Sequence, residues 1–145
     1  MSPTARLALA GLMLLTVSCA QPLSRVQAVT WLDAKTEAPD LQVAGPWESV
    51  LPFMSGGWGY ANWIQTGAEV RGELGLYSVQ GRVAGKTLYL VLSSGHRVAY
   101  TAILKPTATG GLSGVAVGRA LADAVPPGPS DQAPLDLVRR AAAKP

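Results

Sequence analysis

Between residues 47 and 119 the chain alternates apolar and polar positions in short runs broken by glycine, a period of two that marks β-strands. In residues 47–53, Trp47, Ser49, Leu51 and Phe53 share one face. Ser55-Gly56-Gly57 turns the chain into residues 58–66, and Gly67 turns it again. Residues 69–76 read as a half-buried strand, with Glu69, Arg71 and Glu73 toward water and Val70, Gly72 and Leu74 inward. Residues 77–83 set Tyr77, Val79, Gly81 and Val83 on one side, and Gly75 between these runs suggests a bulge or bend. After the tight turn Ala84-Gly85-Lys86, residues 87–92 point Leu88, Leu90 and Leu92 inward and Tyr89 and Val91 outward, apolar on both faces. Ser93-Ser94-Gly95 leads into residues 97–104, residues 106–111 form a loop, and residues 112–117 close the series.

The pattern predicts six or seven short strands joined by short turns, with no helical run between them. Such turns link antiparallel neighbours, whereas parallel ones need long crossovers. The expected fold is therefore mainly β: an antiparallel up-and-down meander forming a small closed or half-open barrel. Closure removes exposed edges, and the many glycines suit coiled strands and corners. Residues 47–119 are the expected barrel domain.

The flanks read differently. Residues 20–46 mix charges with Pro22, Pro39 and Pro46, as a tether would, with residues 29–32 either docking on the domain or starting a strand. Residues 120–145 are Ala- and Pro-rich, and 125–130 include Pro126, Pro127 and Pro129, which interrupt both helix and strand. Residues 135–143 have length for about two helical turns, too short to stand alone in water. The expectation is a mostly disordered tail.

At the other terminus, Arg6 precedes the apolar stretch 7–17, and small Ser18 stands before Cys19, the one cysteine of the chain. These are the parts of a secretory signal peptide over residues 1–18. A spanning helix needs about 20 apolar residues, more than this segment offers. The run Leu14-Leu15-Thr16-Val17-Ser18-Cys19 resembles the lipobox of bacterial lipoproteins, although Thr16 stands where that motif prefers a larger aliphatic residue. The resemblance implies cleavage before Cys19 and acylation of its thiol with diacylglycerol, carrying fatty chains of the palmitate kind. Residues 19–46 then become the acylated N-terminus and tether. Ala20, rather than an aspartate, implies sorting to the outer membrane in a two-membrane cell, or to the outer face in a one-membrane cell.

Composition adds less. Twelve Lys and Arg face nine Asp and Glu, a margin that narrows once Arg6 leaves with the signal. No basic run appears, so nucleic acid is not implied as a partner. Charged residues make up 14% of the chain, against about 25% in typical soluble domains, which hints at apolar surface covered by a partner, ligand or lipid.

Candidate chemistry is sparse. One histidine, His96, and one cysteine leave no basis for a zinc site or a disulfide, and no cofactor is expected. His96 falls at a hairpin turn, with no carboxylate placed to orient it as a triad base. Glu69 and Glu73 share a strand face but stand about 13 Å apart, beyond the roughly 5–9.5 Å of paired glycosidase carboxylates. Arg71 between them makes a solvated charge ladder, so no catalytic residue is assigned. The aromatic cluster of Trp47, Trp58, Tyr60 and Trp63 is the candidate binding feature, because rings with a polar edge suit sugars, peptides and interface anchors. Trp58 and Trp63 differ in parity, which places one in the core and one at the rim of a regular strand.

The segment 75–85, with glycine, tyrosine or valine at every second position, and Gly111-Leu112-Ser113-Gly114 are similar in style to lipocalin-like and avidin-like small barrels. Gly45-Pro46-Trp47 only approximates the lipocalin Gly-x-Trp, and no ligand residue is carried over. The expected role is a lipid-anchored cell-envelope binding or structural module, not an enzyme, holding an envelope protein, peptidoglycan or an apolar ligand. Two alternatives are a carrier of a small apolar ligand or lipid, and an inhibitor of a secreted protease or lysozyme acting through the 106–111 loop.

Overall fold

The computed structural model describes residues 22–52, 55–124 and 132–141. One helix, α1 (Arg25–Asp33), precedes eight strands: β1 (Gly45–Ser49), β2 (Tyr60–Thr66), β3 (Glu69–Leu74), β4 (Tyr77–Ala84), β5 (Thr87–Ser94), β6 (Arg97–Pro106), β7 (Leu112–Gly118) and β8 (Gln132–Arg139). They follow chain order around a closed barrel. Each strand is antiparallel to its neighbours, and β1 pairs with β8 to complete the ring. The fold is mainly β, an up-and-down meander as the alternation implied, and of the two forms expected it is the closed one. The signal segment and Cys19 lie outside the described residues, as do Phe53 and residues 125–131.

Four successive hairpins turn on two residues, beginning at Gly67, Gly75, Gly85 and Gly95. All four glycines have φ between 57° and 60°, the value a type II′ turn requires at its first central position. Gly75 is thus a hairpin turn and not a bulge. The chain reverses there, with Leu74 paired to Tyr77. A Cβ at Gly75 would also fall 2.1 Å from the carbonyl oxygen of Trp58.

Inward positions fill the barrel. Trp47, Trp63, Leu74, Leu88, Leu90, Leu92, Leu104, Leu112, Leu135 and Leu137 are all 2% exposed or less. An eight-stranded barrel is just wide enough for its side chains to fill it, and here small residues make room for large ones. Trp63 pairs with Gly72, where an added Cβ would meet the indole at 3.0 Å and the Asn62 carbonyl oxygen at 2.1 Å. Charges stay outside, as at Glu69, Arg71 and Glu73. This polarity is the reverse of an outer-membrane barrel, whose apolar band faces outward.

Two flanking expectations change. Within the expected tether, Ser24 caps α1: its hydroxyl accepts from the Gln27 N–H at 3.1 Å, and its own N–H donates to Gln27 Oε1 at 2.9 Å. This is a capping box, Ser-x-x-Gln, in which each residue satisfies the other's backbone donor. Ala28, Trp31 and Leu32 then fall on one face and pack on Val91 and Val98, with Tyr89 and Ile103 alongside. The apolar outer face of β5 is explained by this cover. Residues 29–32 dock on the domain, as part of a helix.

The tail is the larger correction. Gln132–Arg139 is β8, bonded to both β7 and β1, so the barrel spans residues 45–139 and has eight strands. Pro134 and the preceding prolines masked the strand signal, because proline lacks an N–H for the ladder. The alternation was nevertheless present: Leu135 and Leu137 are buried, and Val138 is 40% exposed. At the other end of the expected barrel domain, β1 stops at Ser49, and Leu51, read on one strand face with Trp47, lies beyond it and is 51% exposed.

Removing residues 125–145 deletes β8 and leaves β1 and β7 with open edges. Circular dichroism against urea is expected to show loss of the cooperative transition. Leu135→Ala in the full chain is expected to cost about 2–5 kcal/mol in the same titration, whereas a dispensable tail would leave both unchanged.

Candidate functional site

Trp47 and Trp63 belong to the core. Their ring centroids lie 6.0 Å apart, and their indole N–H groups donate to the carbonyl oxygens of Val43 at 2.8 Å and Glu73 at 3.1 Å. Arg139 stacks over Trp47 at 4.4 Å and donates to the Ala44 and Gln42 carbonyls at 2.9 and 2.8 Å. Tyr60 faces outward, 60% exposed, with the Arg140 guanidinium 4.3 Å from its ring centroid. Trp58 precedes β2, and its chain turns at Gly59, φ 93°, so strand parity does not govern it. The four aromatics expected to form one binding platform are therefore divided among the core, the outer wall and one end of the barrel.

Turns of a meander alternate between its two ends, and the ends differ. At the end bearing Gly67-Ala68 and Gly85-Lys86, residues 35–44 run across the mouth. The Asp40 N–H donates to the Gly85 carbonyl at 2.7 Å, and the Gly85 N–H to the Ala38 carbonyl at 3.0 Å. Gln65 accepts from the Val43 N–H at 2.7 Å and donates to the Leu41 carbonyl at 3.0 Å. This mouth is stoppered by hydrogen-bonded chain.

The opposite mouth is closed by aromatic rings. Trp58 lies 5.9 Å from Tyr77 and 5.0 Å from Tyr100, and the two tyrosines 5.7 Å from each other. The Trp58 indole donates to the Pro134 carbonyl at 2.9 Å, tying the β1–β2 loop to β8. Burial raises the Tyr77 hydroxyl above the usual phenol range, and the neighbouring Tyr100 pushes it the same way. Tyr77 and Tyr100 line a groove of about 970 Å³, at the upper end of the roughly 300–1,000 Å³ typical of ligand clefts.

Three walls surround that floor. Residues 22–25, leading into α1, form one; the β5–β6 hairpin with His96 and Arg97 forms the second; Gly118 and Arg119 form the third. Arg119 has φ 58° and is the one non-glycine at positive φ among the described residues, a conformation costing about 1–2 kcal/mol. Its N–H donates to the Ala99 carbonyl at 3.2 Å. Just beyond, the buried Thr101 hydroxyl donates to the Ala120 carbonyl at 2.7 Å, so the chain leaving β7 folds back along β6. His96 is exposed at its turn, where the sequence placed it. Arg71 and Glu69 approach to 4.0 Å on the exposed face of β3, as a charge ladder would.

The groove was missed in the sequence because its arginines are far apart in the chain and no single run announces them. A signal existed: turns 75–76 and 95–96 and the end of β7 fall at the same end of any meander, which brings Arg97 and Arg119 together.

The wall carrying residues 22–25 is held through α1. The Trp31 indole and Lys35 Nζ both donate to Asp123 at 2.8 Å, and Arg82 Nε donates to the Lys35 carbonyl at 2.7 Å. Burial works to raise the Asp123 carboxyl, but hydrogen bonds from Lys35 and Trp31 and the lysine charge outweigh it and hold it below the usual carboxylate range. No protein-family model, curated protein or solved structure matches this chain.

With the Asp123 carboxyl lowered in the folded state, its contribution is complete above the unfolded-state carboxyl range and is lost as pH falls through the lower folded value. Asp123→Ala is expected to lower stability by about 1 kcal/mol near neutral pH and to remove this acid dependence, read by urea titrations over an acid pH series. Equal pH profiles for the two proteins would exclude the carboxylate as the helix clasp.

Proposed function

We propose that the protein is a lipid-anchored binding module of the bacterial cell envelope, held to the membrane through acylated Cys19, rather than an enzyme. The observation that supports this most is the position of residues 22–25, which form a wall of the groove at one end of the barrel. Three peptide steps separate Pro22 from Cys19 and reach at most about 11 Å. An anchor at Cys19 therefore keeps that end, and its groove, close to the membrane surface. Two fatty chains at about 0.8 kcal/mol per buried CH₂ suffice for stable attachment. The outer membrane is the proposed site in a two-membrane cell, on the strength of Ala20.

The packed interior favours binding at the surface over carriage of an apolar ligand inside. Leu88, Leu90, Leu92 and Val79 occupy the inward positions, where a cargo would have to lie. The inhibitor reading draws little from the loop after β6: Thr107 bonds back to Gly111 through both its backbone N–H and its hydroxyl, making it compact rather than protruding.

Intact mass spectrometry of protein extracted from membranes tests the anchor. The expected species starts at Cys19 and carries diacylglycerol, and Cys19→Ala is expected to move the protein out of the acylated pool. An unmodified Cys19 in a soluble fraction would overturn the proposal.

A further inference from the structure

The groove concentrates positive charge that no acidic side chain among the described residues pairs. Arg25 stands in the first turn of α1, Arg97 opens β6, and Arg119 follows β7; with His96 they line the same groove, and no aspartate or glutamate among the described residues lines it. The ion pairs among the described residues are Lys35–Asp123, Arg71–Glu69 and Lys86–Asp40, so none of the three groove arginines has an ion-pair partner there. Two of them also sit where the backbone disfavours them. Arg25 opposes the helix dipole, whose N-terminus favours anions, and the first turn of α1 holds no acidic residue. Arg119 takes a left-handed backbone with φ 58°. Arginines placed against local preference, and converging from three separate elements, point to an anion that the charges serve.

The chain itself indicates which anion. The described residues begin at this groove, with Pro22 and Leu23 in its wall. Resting on the lipid anchor proposed above, the groove mouth stands roughly 11 Å or less of chain from the acylated residue, comparable to the Debye length of about 8 Å at physiological salt. At that distance the headgroups are the nearest concentrated source of negative charge. Tyr77 and Tyr100 at the floor present rings with a polar edge, the kind of side chain that suits a membrane–water interface.

We propose that Arg25, Arg97 and Arg119 dock this end of the barrel on anionic phospholipid, with a headgroup phosphate seated in the groove above Tyr77 and Tyr100. The barrel then stands end-on, its stoppered mouth and the β6–β7 loop directed away from the membrane. Guanidinium groups suit phosphate because their planar donors bind its oxygens in pairs.

The test uses the chain from Ala20, which keeps α1 and all eight strands and lacks the acylation site, so its result does not depend on the anchor. Flotation with vesicles of phosphatidylcholine, with and without phosphatidylglycerol, measures binding. Binding is expected only to the anionic vesicles and is expected to weaken with added salt. Arginine near an anionic surface is worth about fivefold in partitioning, so R25Q/R97Q/R119Q is expected to lose on the order of 100-fold. The control R71Q/K86Q, with charges outside the groove, is expected to keep most of the binding. Arg119→Gly keeps the test meaningful should the triple variant fold poorly, because glycine suits the left-handed backbone; this variant is expected to be at least as stable and to bind about fivefold more weakly. Equal binding to neutral vesicles, or undiminished binding by both groove variants, would overturn the proposal. So would inorganic phosphate bound through the same arginines by a protein that ignores vesicles, which would assign the groove to a soluble anion. The mass spectrum of Cys19 decides the anchor separately.

Discussion

Every other feature of the molecule presupposes that β8 pairs with β1 as well as β7. Trp47 opposite Arg139 and Ser49 opposite Leu137 bring together residues from opposite ends of the barrel sequence, and the pairing converts a curled sheet into a ring. Once the ring is closed, the inward side chains have a fixed volume to fill. Trp47 and Trp63 take much of it and are accommodated because Gly72 stands opposite Trp63. The same closure draws β8 alongside the β1–β2 loop, where the Pro134 carbonyl receives the Trp58 indole. Closure thus fixes the third ring, Trp58, that packs against Tyr77 and Tyr100 at the groove floor.

Packing explains why one mouth is stoppered and the other lined with rings. Residues 35–44 add backbone partners at one end, through Gly85 and Gln65, and leave little there to recognise a ligand. At the other end no chain crosses the Trp58, Tyr77 and Tyr100 rings among the described residues. Tyr77 and Tyr100 line a groove edged by charge. The difference follows from where the chain enters: α1 lies along β5 and β6, and the segment after it is long enough to cross the far mouth.

Much of the fold was legible in residues 69–104. There the alternation is regular, the glycines fall at turns, and Leu88, Leu90 and Leu92 point inward as read. Outside that window the reading failed for identifiable reasons. Pro134 broke the strand signal of β8 although Leu135 and Leu137 kept the period, and Ser24 and Gln27 supplied a capping box inside a stretch read mainly as tether. Gly75 fitted both a bulge and a turn, and only the pairing of Leu74 with Tyr77 separates them. The aromatic residues were conspicuous in sequence, yet a tryptophan in a small barrel is as useful for filling space as for touching a ligand, and Trp47 and Trp63 fill space. The arginines were inconspicuous because turns, not sequence neighbours, bring them together.

The walls of the groove are not equally permanent. Two are carried by the ends of barrel strands, at Arg97 and Gly118. The third is laid on from outside by a nine-residue helix, too short to hold its shape alone and fastened by one apolar stripe and the Asp123 clasp. The groove therefore has two walls from the barrel and one laid on by α1, and that side is the one continuous with the N-terminal chain.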